Sequence, residues 1–205
     1  MRIISGNLKG KKILQPKDKY TRPLKDLTKE SLFNIILHSN KFDGKIKNSN
    51  VLDLFSGVGS FGLECLSRQA CSVTFIENYK DVLIILKKNI LNLNFFNKCN
   101  IIEKDILNEF DFNTLNNKFD IIFLDPPYKE KLLSTLLKKI FDANILNKTG
   151  IIIIHRHKNE IDETVKFFNI LEKKVYGISK IIFGKFVKVK ILTVSFLINS
   201  TAGWS

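Results

Sequence analysis

The chain has 205 residues, 44% of them hydrophobic, enough to bury one substantial core and too few for two comfortable ones. No run approaches the roughly 18 apolar residues of a membrane span, and the start Met1-Arg2-Ile3-Ile4-Ser5-Gly6 has no signal-type apolar segment, so a soluble cytoplasmic protein with no membrane partner is expected. The net charge of +13 is uneven: residues 1–50 carry 12 basic and 4 acidic side chains, residues 51–150 carry 12 of each, and residues 151–205 carry 9 and 4. That distribution suggests a neutral catalytic centre flanked by elements that grip phosphates, with binding that weakens steeply as salt rises.

In chain order, the short apolar stretches Arg2-Ile3-Ile4 and Lys12-Ile13-Leu14, separated by Gly6-Asn7-Leu8-Lys9-Gly10, predict a basic β-hairpin. Thr21-Arg22-Pro23 is a rigid X-Pro element. From Leu24 to Leu37 the residues Leu24, Leu27, Leu32, Phe33, Ile36 and Leu37 approximate a helical stripe, with Lys25, Lys29 and Glu30 on the exposed surface. Residues 40–50 are a polar linker, so the expected division is a basic extension over 1–40 and a main domain over 41–205.

From residue 51 strands alternate with helices: strand 51–55, helix 59–68, strand 72–77, helix 80–93, strand 100–103, strand 119–124, helix 130–141 and strand 150–155. Continuous apolar runs such as Ile121-Ile122-Phe123-Leu124 and Ile151 to Ile154 suit strands buried on both faces of a parallel sheet. Residues 167–176 and 188–198, rich in β-branched and aromatic side chains, are expected to close the sheet as a strand pair. The expectation is an α/β, doubly wound, mostly parallel sheet.

Three loops after strands carry chemistry. In Asp53-Leu54-Phe55-Ser56-Gly57-Val58-Gly59 a buried strand turns into a helix, and the glycines permit close backbone approach to a ligand at the carboxyl edge of the sheet. A carboxylate at Asp53 suits a cationic cofactor with an amino-acid tail better than a pyrophosphate. Glu77 ends the next strand, where a carboxylate can accept both hydrogen bonds of a ribose diol, and Asp105 follows the third strand within reach of an adenine amino group. The most specific feature is Asp125-Pro126-Pro127-Tyr128. An exocyclic base amine is a poor nucleophile until acceptors around its hydrogens favour a tetrahedral nitrogen. Asp125 and the Pro126 carbonyl are candidate acceptors, the two prolines hold that carbonyl, and Tyr128 can stack on an extruded base.

The cysteines Cys65, Cys71 and Cys99 are odd in number and lack close pairing, which argues against a disulfide framework or a zinc site; no metal is expected, and no cysteine is placed as a nucleophile. His155, Arg156 and His157 have no assigned role and are taken as surface-exposed basic residues near RNA.

The glycine turn, the strand-end acids and the Asp-Pro-Pro-Tyr motif together resemble class I methyltransferases acting on amino groups. With Arg2-Ile3-Ile4-Ser5-Gly6, Lys9-Gly10-Lys11-Lys12, Thr21-Arg22-Pro23 and Glu30-Ser31-Leu32-Phe33-Asn34 in order, nearly the whole chain resembles the bacterial small-subunit ribosomal RNA guanine-N2 methyltransferases, the RsmD family. That resemblance implies a seven-stranded Rossmann-like sheet with S-adenosyl-L-methionine held by Asp53, Phe55, Gly57, Gly59, Glu77 and Asp105. It implies a target guanine held by Asp125 to Tyr128, and 16S ribosomal RNA gripped by Arg2, Lys9, Lys11, Lys12, Arg22 and Lys29. The implied substrate is guanine 966 of that RNA within an assembling small subunit, modified by a monomer. The chain departs from the family pattern at Leu27 and Lys29, where arginines are usual, at Gln69, where a helix-ending glycine is usual, and at His155, where an acid is usual. The core motif serves adenine N6 in DNA or RNA equally well, and a non-catalytic RNA-binding assembly factor is the alternative outside enzymes.

Overall fold

The computed structural model describes residues 1–16, 26–42, 45–108, 110–127, 132–161 and 165–187. One helix, α1 (Asp26–His38), precedes the alternating part: β1 (Asn50–Leu54), α2 (Ser60–Ser67), β2 (Ser72–Glu77), α3 (Lys80–Asn92), β3 (Cys99–Glu103), β4 (Phe119–Leu124), α4 (Leu132–Asp142), β5 (Leu146–His157), β6 (Phe168–Tyr176) and β7 (Ser179–Phe186). The seven strands form one sheet in the order β3-β2-β1-β4-β5-β7-β6. The first five are parallel, and β7 runs antiparallel to both β5 and β6.

Side chains alternate across each strand, so the sheet divides the apolar residues into two cores. Val51, Val73, Phe75, Ile121, Phe123, Ile151 and Ile153 face α1, α2 and α3. Leu52, Leu54, Ile122, Leu124, Ile152 and Ile154 face α4, whose Leu133, Leu136, Leu137 and Ile140 recur at helical spacing. On the first face Phe33 of α1 stacks on Phe61 of α2 at 5.3 Å, and Phe61 stacks on Phe123 of β4 at 4.1 Å. The core therefore runs without a break from the sheet through α2 into α1. Ile3 and Ile13 are buried in that same core, so the hairpin residues pack against the sheet's first face together with α1.

Four expectations need correction. The helix stripe of α1 is rotated: its buried residues are Thr28, Lys29, Leu32, Phe33 and Ile36, whereas Leu27 and Leu37 are exposed. A lysine takes the core-facing place because a buried carboxylate, Glu64 of α2, lies opposite it at 3.6 Å. The antiparallel partner of β6 is Ser179–Phe186, reached through a tight turn at Gly177-Ile178; the expected strand at 188–198 lies outside the described residues. The polar linker over 40–50 contributes buried Ile46 and Ser49, and its last residue opens β1. His155 and Arg156 are buried, not surface residues: β5 runs two residues past the expected end and is covered there by β7. Gln69 does adopt a left-handed φ of 72°, the strain expected where a helix ends without glycine. The hairpin at the start is present as a bridge between Arg2 and Lys12, closed by hydrogen bonds from Ile3 N to Lys11 O and from Gly10 N to Ile3 O.

Candidate active site

The strand order reverses between β1 and β4, and a doubly wound sheet opens its ligand crevice at the carboxyl ends of the strands flanking such a switch point. Asp53 lies near the end of β1 and Asp125 directly follows β4. Glu77 closes the neighbouring strand β2. These acids are near enough that the charges of Asp125 and Glu77 raise the Asp53 carboxyl further, adding to burial, the largest cause, while the hydrogen bond from Gly62 N opposes it. The outcome is an Asp53 carboxyl well above the usual carboxylate range.

Asp53 Oδ2 accepts from Gly62 N at 3.0 Å, whereas Oδ1 is buried and has no hydrogen-bond partner among the described residues. A buried carboxylate oxygen left open costs free energy unless a donor arrives. The ammonium and sulfonium charges of S-adenosyl-L-methionine are of the sign this three-acid crevice lacks, so the residues fit that group. The turn after β1 is shaped for close approach: Phe55, Gly57 and Gly59 all have positive φ (58°, 55° and 84°). At Gly59 the left-handed φ is what favours glycine, and a Cβ there would also lie 2.5 Å from Leu86 Cδ1 of α3. Glu77 ties this loop to β2, accepting from Gly57 N at 2.8 Å with one oxygen and from Asn78 N and Tyr79 N, both at 2.9 Å, with the other. Asp105 sits beyond β3, accepting from Leu107 N at 2.8 Å and Asn108 Nδ2 at 3.0 Å, which hold its carboxyl below the usual value.

Asp125 is partly open, and Pro126 after it is buried while Pro127 is exposed. Tyr128, like Thr21, Arg22 and Pro23, lies outside the described residues. Arg2, Lys9, Lys11 and Lys12 are exposed on the hairpin, available to an anionic partner. Lys29 is not: its side chain is inaccessible, donating to Arg2 O at 2.7 Å and pairing with Glu64, so contrary to expectation it does not grip RNA. An ammonium with no solvent contact cannot meet a phosphate. Burial, the largest cause, lowers its pKa despite the opposing pull of Glu64.

Two residues unforeseen from sequence belong to the site. His155, two residues before the end of β5, places Nδ1 2.9 Å from Asp125 Oδ1. Asn89 of α3 donates to Val58 O and Leu14 O, both at 3.1 Å, and accepts from Leu14 N at 2.8 Å, so one buried amide joins the glycine loop to the basic hairpin. A buried Asn in an apolar helix stripe was the available signal for the second. For the first there was none without the strand register.

Residues 1–185 match the model of a family described as conserved hypothetical protein 95. A Buchnera aphidicola protein named ribosomal RNA small subunit methyltransferase D is 36% identical over 173 residues, covering 84% of this chain and 86% of the relative. The protein of the same name from Haemophilus influenzae is 33% identical over 183 residues, covering 87% and 90%. This chain belongs to that family. In structure it superposes on an Escherichia coli protein described as a methyltransferase with a TM-score of 0.74 and 25% identity, covering 92% of this chain and 99% of the other. The seven-stranded class I methyltransferase fold expected of a family member is thus the fold observed.

Proposed function

We propose that this family member transfers a methyl group from S-adenosyl-L-methionine to the exocyclic N2 of a guanine in small-subunit ribosomal RNA. The observation that carries the reading is the placement of the Asp125-Pro126-Pro127 turn at the switch point, beside a glycine loop whose buried Asp53 has one oxygen without a partner among the described residues. When bound, S-adenosyl-L-methionine supplies an electrophilic methyl on sulfur. Asp53, Glu77 and Asp105 hold its amino-acid, ribose and adenine parts, and Phe55, Gly57 and Gly59 shape the loop against it. Asp125 and the Pro126 carbonyl accept the two amine hydrogens, turning the nitrogen lone pair out of the ring and toward the methyl. Held there, S-adenosyl-L-methionine would give up its methyl with the carbon–sulfur electron pair staying on sulfur; the proton that the nitrogen sheds is accepted by Asp125 and passed to solvent. Tyr128 stacks on the extruded base, and Pro127 stiffens the turn. Arg2, Lys9, Lys11, Lys12 and Arg22 grip phosphates of 16S ribosomal RNA in an assembling subunit, with the enzyme acting as a cytoplasmic monomer. No helix among the described residues is long and apolar enough to cross a membrane.

The test is incubation with radiolabelled S-adenosyl-L-methionine and small-subunit particles lacking the modification, followed by nucleoside analysis. Labelled N2-methylguanosine is expected, with a loss of about 100-fold or more in Asp125→Ala. Labelled N6-methyladenosine would overturn the target, and full activity in Asp125→Ala would overturn the role of the motif.

A further inference from the structure

The register of β4 and β5 pairs Leu124 with Ile154, so the next residues stand side by side: Asp125 leaves the sheet at the end of β4 while His155 continues in β5, paired with Ile181 of β7. The His155 ring bridges two partners. Its Nδ1 lies 2.9 Å from Asp125 Oδ1 and its Nε2 lies 3.0 Å from Ser179 Oγ, the first residue of β7. The two ends of this bridge differ in exposure: the side chain of His155 is 9% accessible and that of Asp125 27%. The imidazole is therefore the more deeply buried member of the pair, and the carboxylate the one open to solvent.

Hydrogen-bond chemistry sets the direction of the chain. An ionised carboxylate only accepts, so Nδ1 carries the proton and donates to Asp125. In the neutral ring Nε2 then accepts, and the Ser179 hydroxyl donates to it. Asp125 Oδ1 is thereby occupied, while Oδ2 receives no hydrogen bond from a described residue.

We infer that His155 is a positioning residue for the methyl transfer: its Nδ1–H, held by Ser179, locks the Asp125 carboxylate so that Oδ2 alone is presented to the substrate amine. This rests on the reading of Asp125 as the acceptor of that amine. One fixed oxygen of a carboxylate gives a single direction for the amine hydrogen, and orientation of this kind is where a transfer without a covalent enzyme intermediate gains its rate. His155 touches neither substrate nor cofactor in this arrangement; it acts through Asp125, and Ser179 through His155.

The experiment compares His155→Leu, His155→Asn and Asp125→Ala in the labelled-particle assay, with binding of S-adenosyl-L-homocysteine by calorimetry. His155→Leu should lower kcat by about 10- to 100-fold, the worth of one hydrogen bond to a charged group, and leave KM for the particle and the homocysteine affinity near wild type. His155→Asn keeps a side-chain N–H near the place of Nδ1 and should recover most of the lost rate. Unchanged kcat in His155→Leu alongside an inactive Asp125→Ala would overturn the positioning role and leave the reading of Asp125 intact. Full activity of Asp125→Ala would remove both. Equal losses in Leu and Asn variants, accompanied by weaker homocysteine binding, would make His155 a packing residue only and overturn the inference. Should His155→Leu not fold, nitrogen-15 NMR of the unmodified protein decides: a proton on Nδ1 is expected, and a neutral ring protonated on Nε2 would overturn it.

Discussion

Glu64 is the joint between the basic amino-terminal segment and the methyltransferase core, and replacing it should expose how much that joint holds. Its carboxylate is fully buried and accepts from Ile4 N at 2.7 Å, Ser5 N at 2.9 Å and Arg68 Nε at 2.8 Å, with Lys29 Nζ 3.6 Å away. Glu64→Leu leaves two backbone amides without an acceptor and the inaccessible Lys29 ammonium without its anionic partner, a change expected to cost about 3–5 kcal/mol. Lys29→Met removes the 2.7 Å bond to Arg2 O but also relieves the burial of an ammonium. Glu64 meanwhile keeps Arg68 and both amides. The single change should therefore cost only about 1–2 kcal/mol. Because the worst consequence of Glu64→Leu is the stranded Lys29, adding Lys29→Met to it should restore about 1 kcal/mol or more. Urea unfolding near neutral pH, read at a common slope, gives the cycle directly. A double variant as unstable as the two single losses added together would refute the account of a coupled buried pair.

Two further outcomes follow from the same packing and burial. A Cβ at Gly6, where φ is +83°, would lie 2.0 Å from Ser67 O in the backbone of α2, whereas one at Gly10, with φ +85°, meets nothing within 4 Å. Gly6→Ala should thus cost about 2–3 kcal/mol against about 1 for Gly10→Ala, and equal Tm values for the two would count against the close approach. Burial pushes the Cys99 thiol up to about 12 from an ordinary value of 9.0, so above pH 9 the unfolded chain ionises while the folded one does not. That stability is fully present below pH 9 and drains away as pH rises toward 12. Cys99→Ala should flatten the decline measured by urea unfolding in that range, and a decline unchanged by the substitution would contradict the thiol's burial.

The parallel part of the sheet, its alternation of strands and helices and the glycine and Asp125-Pro126-Pro127 turns are readable in the chain. Buried parallel strands need continuous apolar runs, amphipathic α4 needs its leucines at helical spacing, and tight strand-to-helix turns need glycine or proline. These are local demands, satisfied by neighbours in sequence. Lys29, Glu64, His155, Ser179 and Asn89 answer to partners that are distant in sequence, up to 75 residues away for Asn89 and Leu14. A lysine on a helix looks solvated until the facing surface is known, and β7 gives no clear strand signal because Ser179-Lys180 and Gly184-Lys185 interrupt its apolar run. The sequence by itself determined which residue types stand at the carboxyl edge of the strands; only the tertiary structure decided which of them meet. Register and layer packing set those meetings, placing His155 beside Asp125 and Lys29 inside the core, because a buried polar group is tolerated only where a distant segment supplies its partner.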